Sequence, residues 1–283
     1  MNYLYIILTV CSLTLQSAIR KSYGKQLNGK GTCVFNGFAC LMAALFFWTS
    51  GGFQFAFHGP VIIWALVFGV FFGTATYASL CALQIGPMSL TSLAISYSLM
   101  IATLYGILFR HEKISIWTVI GLLLLAVSLV FITVKKDEKK ISLRWVILAL
   151  IALISNGICT IVQREQQIAF EGNYKNEFMM VALVAVFAVF WGMSMLKERH
   201  EMKTCLKKGA GHMVLWGIAN GAANLFVMIL ATRMPASLMY PLISGGSIIL
   251  TWLTARFFYK DQLSVLQNWG LVLGTGAVVL LNI

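Results

Sequence analysis

The chain has 283 residues, of which 59% are apolar and only 11% charged, with a mean hydropathy of +0.85. That leaves too few Asp, Glu, Lys and Arg to cover a soluble globule of this length, so water is excluded as the main solvent and the missing polar surface is expected to face lipid. A net charge of +12 does not indicate nucleic acid, because the basic residues form short clusters between apolar runs rather than an interleaved polar and aromatic groove.

A bilayer core about 30 Å thick needs roughly 17 to 25 apolar residues per crossing helix, and ten runs of that kind follow one another along the chain. The first, over 3–19, opens on Tyr3 and Tyr5 where a secretory signal carries Lys or Arg. No small-residue cleavage site stands before Arg20 and Lys21, so this run is expected to be retained as a helix, with Ser12 and Gln16 one turn apart on it. The second run covers 33–50 and the third 61–84, the latter with Gly69, Gly73, Thr76 and Tyr77. Only Ile85-Gly86-Pro87 separates it from the fourth, 88–109, which carries Ser89, Ser92, Ser96 and Tyr97, so the pair must form an antiparallel hairpin. The fifth covers 114–134. After the charged stretch 135–140 the sixth, 143–163, places Asn156, Thr160 and Gln163 on one helical face. The seventh covers 178–196. The eighth, 212–232, has Gly217 and Gly221 with Asn220 and Asn224, and Arg233-Met234-Pro235 joins it in a second hairpin to the ninth, 236–258, with Tyr240, Pro241, Ser244, Gly245, Gly246 and Ser247. The tenth covers 266–283.

The two hairpins are alike. A shift of 148 residues places Gly69 on Gly217, Gly73 on Gly221, Thr76 on Asn224, Pro87 on Pro235, Ser89 on Ser237 and Ser96 on Ser244. One residue more places Gly121 on Gly270, and one less places Gln16 on Gln163. The chain therefore reads as an all-α integral membrane protein of about ten transmembrane helices, in two five-helix repeats over 1–138 and 139–283. Because five is odd, the second repeat enters the membrane from the opposite side, which makes the repeats inverted.

This layout, with the short hairpin Gly86-Pro87-Met88-Ser89, a polar-dotted fourth run and Glu112-Lys113 before Gly121, resembles the drug/metabolite transporter superfamily and in particular its EamA-like branch. The resemblance covers nearly the whole chain and rests on the arrangement of helices more than on a strict signature. It implies a multi-pass membrane protein, in the cell membrane if the source is prokaryotic, that carries a small-molecule metabolite by alternating access, with export the expected direction and a central cavity between the repeats. It implies no cofactor, and a monomer or homodimer in the bilayer. Orientation is pulled two ways. Of 21 Lys and Arg, 16 follow the odd-numbered runs one, five, seven and nine, and a count of loop cations puts that side in the cytoplasm and both termini outside. The resembled superfamily usually has both termini in the cytoplasm.

Polar side chains inside hydrocarbon should face other helices or a wet cavity. The candidate substrate-contacting residues are Gln16, Thr76, Tyr77, Ser96, Tyr97, Asn156, Gln163, Asn220, Asn224, Tyr240 and Ser244. For the Ser and Thr positions, bonding across helices as packing glue is the competing reading; the amides have more groups to satisfy and weigh more evenly. Arg164 and Glu165 could form a gating ion pair or a proton site, although snorkelling to the headgroups is the simpler expectation. Pro241, Gly245 and Gly246 mark the ninth run as a candidate moving element. Glu112-Lys113 and Lys260-Asp261 are expected to be solvated loop charges. No Asp or Glu lies in the middle of a run, which disfavours a proton-coupled cation exchanger and leans towards a neutral or zwitterionic substrate.

The six cysteines (Cys11, Cys33, Cys40, Cys81, Cys159 and Cys205) have no paired spacing, and His58, His111, His200 and His212 are scattered, so neither a disulfide framework nor a metal site is expected. An intramembrane enzyme would need a nucleophile with a base, or paired acids, and none is visible. A channel or a non-transporting membrane subunit stays open as the alternative to a carrier.

Overall fold

The computed structural model describes all residues except 57, 86–87, 113–114, 134–141, 260–264 and 281–283. Among the described residues there are ten helices and no strand: α1 (Asn2–Gln26), α2 (Thr32–Ser50), α3 (Gly59–Ile85), α4 (Met88–Phe109), α5 (Ile116–Thr133), α6 (Leu143–Ala169), α7 (Lys175–Lys197), α8 (Met202–Ala231), α9 (Ala236–Tyr259) and α10 (Val265–Leu280). Six of them, α1, α2, α3, α6, α7 and α8, are long and apolar enough to cross a membrane. Their outer faces carry exposed large apolar side chains such as Ile63, Val70, Ile154, Val189 and Ile218, a surface that water does not favour.

Three helices outrun their apolar stretches. α1 continues from Ile19 to Gln26 because Tyr23 finds a partner within the protein: it is buried, stacks on Phe35 and donates its hydroxyl to the Gly31 carbonyl at 3.0 Å. α8 begins ten residues ahead of His212 as an amphipathic extension, with Cys205, Gly209 and Met213 buried one turn apart and Lys203, Lys207 and Lys208 on the outside. α6 continues past Gln163 to Ala169 and so carries Arg164, Gln166 and Gln167 on its buried face.

The helices pack across the chain rather than along it. α1 lies against α8 and α9, α2 against α7 and α8, α3 against α6 and α7, α4 against α6 and α9, and α5 against α10. One apolar core joins α2, α3 and α7 through Phe47, Phe68, Phe178, Leu183 and Phe190. A second joins α1, α4, α8 and α9 through Val10, Ala102, Leu230, Met239 and Tyr240. A third, with Tyr23, Phe35 and Trp216, ties the C-terminal part of α1 to α2 and α8.

Side-chain carboxylates complete the helix starts at the ends of these contacts. Gly31, in the left-handed region, supplies no side-chain cap to α2; the Glu198 carboxylate from the end of α7 accepts from Cys33 N at 3.1 Å and Val34 N at 3.0 Å instead. The same end holds the Lys30–Glu201 ion pair at 2.8 Å. At the opposite end Ser50 donates to Asn176 at 3.0 Å, and Glu177 accepts from Ala56 N at 3.3 Å.

Close approach of α8 to α2 depends on missing side chains. A Cβ at Gly217 would lie 2.8 Å from the Ala39 carbonyl oxygen, and one at Gly221 would lie 2.7 Å from Phe46 Cγ. The obstacle at Gly217 is backbone and cannot rotate away. Gly217→Ala is therefore expected to lower stability by about 1–3 kcal/mol in thermal unfolding of the purified protein. Gly192→Ala, which meets open space, should leave the midpoint unchanged or slightly raised.

Candidate functional site

Between α1, α3, α4, α6, α8 and α9 lies a cavity of about 190 Å³. Its walls are built from residues that recur one helical turn apart: Gln16 and Arg20 on α1, Thr76 and Ser79 on α3, Asn156, Thr160 and Gln163 on α6, and Asn220 and Asn224 on α8. Phe72, Trp216 and Tyr240 supply aromatic surface, and Leu13, Leu99 and Val227 aliphatic surface.

Four amides run through this site as a chain. Gln16 donates to the Ala219 carbonyl at 3.4 Å and accepts from Asn220 Nδ2 at 3.2 Å. Asn224 donates back to the Asn220 carbonyl at 2.9 Å and to its Oδ1 at 3.2 Å, and accepts from Gln163 Nε2 at 3.0 Å. The chain thus crosses from α1 through α8 to α6 while using only part of the capacity of each amide. On the other wall Asn156 donates to Ser98 Oγ at 2.6 Å, Thr160 to the Asn156 carbonyl at 2.9 Å, and the Tyr240 hydroxyl to the Thr160 carbonyl at 3.4 Å. The aperture is a hydrogen-bonding surface set in an apolar surround, which suits a small molecule with one or two polar groups.

The two ends of the cavity differ. Past Gln163, Arg164 is buried at 5% exposure; its Nη2 donates to Glu112 Oε1 at 2.7 Å and its Nη1 to the Met234 carbonyl at 3.1 Å. Glu112 also accepts from Ala236 N and Ser237 N, both at 2.9 Å, so one carboxylate pairs with a cation and completes the start of α9. Beside it Arg110 forms a two-point ion pair with Glu165, Nε to Oε1 at 3.0 Å; that hydrogen bond holds the Arg110 pKa above its ordinary value. At the other end Arg20 lines both the central cavity and a second space of about 540 Å³, whose wall includes Tyr23 and Thr32 and the exposed loop residues Asn28 and Gly29.

Gln16, Thr76, Asn156, Gln163, Asn220, Asn224 and Tyr240 are brought together on the cavity wall. Tyr77 is not; it packs beside the α2–α3–α7 core. Tyr97 turns outward to donate to the Ala126 carbonyl of α5 at 3.1 Å and packs near Ala277. Ser244 is fully buried in α9 away from the cavity wall. The Ser96 side chain lies outside the described residues. Pro241 removes a donor from the interior of α9, Gly245 is buried in the same helix, and a Cβ at Gly246 would come within 2.9 Å of Val10, so this stretch carries the approach of α9 to α1.

Two charge assignments are corrected. Arg164 does not snorkel outward, and Glu112 is not a solvated loop charge: its side chain is 11% exposed and spent on three protein partners. Lys113, Lys260 and Asp261 lie outside the described residues. Arg20 and Ser79, which are not candidates by sequence, also line the cavity, as do Thr160, the face-mate of Asn156, and Trp216, whose place near a run end suggests an interface anchor. Arg20 had a visible signal, since it stands one turn past Gln16 on the same face, but beside Lys21 it looked like the end of the helix.

No family model matches the chain, and no curated protein matches it either. Among the matching solved structures, one described only as "Crystal structure of protein" is similar to 99% of this chain over 95% of its own length, with a TM-score of 0.79 and 14% identity. At that identity the likeness establishes a shared fold and nothing about activity.

Breaking the Arg164–Glu112 pair leaves a buried guanidinium without its counter-ion, so Glu112→Gln should cost about 3 kcal/mol in thermal or denaturant unfolding of the purified protein. Glu165→Gln, whose partner Arg110 is 40% exposed, should cost about 1 kcal/mol or less. Equal losses in the two variants would show that burial is not what makes the Arg164 pair matter.

Proposed function

We propose that the chain is a secondary, alternating-access transporter of a small metabolite, an EamA-like member of the drug/metabolite transporter superfamily working as an exporter. In this reading all ten helices cross the membrane as two inverted five-helix repeats of a multi-pass protein, in the cell membrane if the source is prokaryotic. The observation that carries the proposal is the central polar cavity, bounded at one end by the Arg164–Glu112 and Arg110–Glu165 ion pairs and reached at the other through the space beside Arg20.

The repeat reading draws support from packing. Exchanging every helix for the one five places away turns α1–α8 into α6–α3, α2–α8 into α7–α3 and α1–α9 into α6–α4, and leaves α2–α7, α4–α9 and α5–α10 as they are; each product is itself an observed contact. The cavity wall obeys the same exchange, since Gln16 and Gln163 both line it, as do Thr76 and Asn224. A site straddling two such halves can be exposed to each side in turn by rocking one against the other. The expectation of a neutral or zwitterionic substrate rested on the absence of charge within the runs. Arg20 in the cavity wall removes that premise.

Metabolites whose levels change in cells overproducing the protein provide the substrates for a proteoliposome assay. Saturable exchange is expected, with Gln16→Leu, Asn156→Leu and Asn224→Leu each losing at least about tenfold in rate while still inserting and purifying normally. Undiminished flux in all three variants would discard the cavity as the route, and an ungated conductance in wild type would make the protein a channel.

A further inference from the structure

Among the described residues Arg20 is a cation without a carboxylate partner. Its guanidinium carbon lies 4.7 Å from the centre of the Trp216 ring, and its Nε is buried with no hydrogen-bond partner. Among the described residues no carboxylate pairs with it, and the acids at that end of the molecule are taken: Glu198 by Cys33 N and Val34 N, Glu201 by Lys30. Arg20 is half-buried, and drawing a cation even partly out of water in an apolar bundle is costly, a cost that a ring face offsets only in part. By contrast, the buried Arg164 at the far end has both a carboxylate and a carbonyl. The difference marks Arg20 as a group held ready for something that comes and goes.

We infer that Arg20 anchors the carboxylate of a small organic acid that the protein carries, an inference resting on the carrier reading above. The planar fork of a guanidinium matches a carboxylate in two parallel hydrogen bonds, and stacking on Trp216 fixes the plane of the fork. One turn deeper the Gln16–Asn220–Asn224 amides offer donors and acceptors to an uncharged polar group, with Phe72 and Tyr240 beside an apolar body. Among the described residues no Asp or Glu lines the cavity, so a substrate ammonium would find no carboxylate among them, and a net anion fits better than a zwitterion. The rim agrees: Lys25, Lys203, Lys207 and Lys208 stand exposed at the Arg20 end, a field that concentrates anions at the entrance.

The test uses the purified full chain in detergent at fixed chloride, and reads binding as ligand-dependent thermal stabilisation. Acetate, benzoate, phenylacetate and 3-phenylpropionate are each compared with their own carboxamide, a neutral molecule of nearly the same shape, and phenylalanine serves as the zwitterion. At least one acid should bind wild type tenfold or more tightly than its amide, Arg20→Gln should abolish that preference, and Arg20→Lys should restore part of it. The acid–amide comparison in wild type stands even where Arg20→Gln does not fold. Amide or phenylalanine binding as tight as that of the acids, an acid preference that survives in Arg20→Gln, or no binding by any acid would each overturn the proposal. Proteoliposome flux separates this from the carrier reading. Arg20-dependent acid binding without flux would sink the carrier and keep the anion site, whereas saturable flux indifferent to charge would keep the carrier and sink the site.

Discussion

A polar group taken out of water must find a partner, and the interior of this protein is arranged around that requirement. The outside of the bundle is apolar, so the polar atoms in the helices have only one another, the backbone and the central cavity to turn to. The amides of Gln16, Asn220, Asn224 and Gln163 answer by forming a chain, Arg164 by holding Glu112 and the Met234 carbonyl, and the start of α2 by taking Glu198 from a different helix.

Half of these bonds join the first half of the chain to the second, and others do the same. Gln16 of α1 meets Asn220 of α8, Ser98 of α4 meets Asn156 of α6, Glu112 caps α9, and Glu198 caps α2. The polar network therefore crosses the boundary between the two halves of the chain at several points. Apolar packing of α2 and α3 on α7 crosses the same boundary and tolerates sliding poorly, while hydrogen bonds that line a polar cavity can be exchanged for bonds to water or to a ligand at little net cost.

The two ends of the cavity are chemically unequal. One end is tied by Arg164–Glu112 and Arg110–Glu165 across α4, α6 and α9; the other presents Arg20 above a space bordered by the α1–α2 loop. A buried cation with a carboxylate is a closed contact. Arg20, half-buried and set against a ring face, faces the cavity instead.

Much of this was legible in the amino-acid sequence. Long apolar runs broken by Pro, Gly and charge specified helices, because backbone polar groups in hydrocarbon must be satisfied within the segment. The periodic placement of Gln16, Asn156, Gln163, Asn220 and Asn224 marked inward faces, because side chains three and four apart share one side of a helix. Other features depended on three dimensions. Tyr97 and Tyr77 look like cavity residues by spacing, yet the α5 carbonyl at Ala126 and the α2–α7 core claim them. Arg20 and Lys21, or Glu112 and Lys113, are adjacent charges near the end of an apolar run, and local sequence treats each pair alike. Only the packing of α1 on α8 set Arg20 against Trp216, and only the arrival of α6 and α9 enclosed Glu112. Helix formation is decided by the residue and its near neighbours. The burial of a charge is decided by which distant helix lies over it.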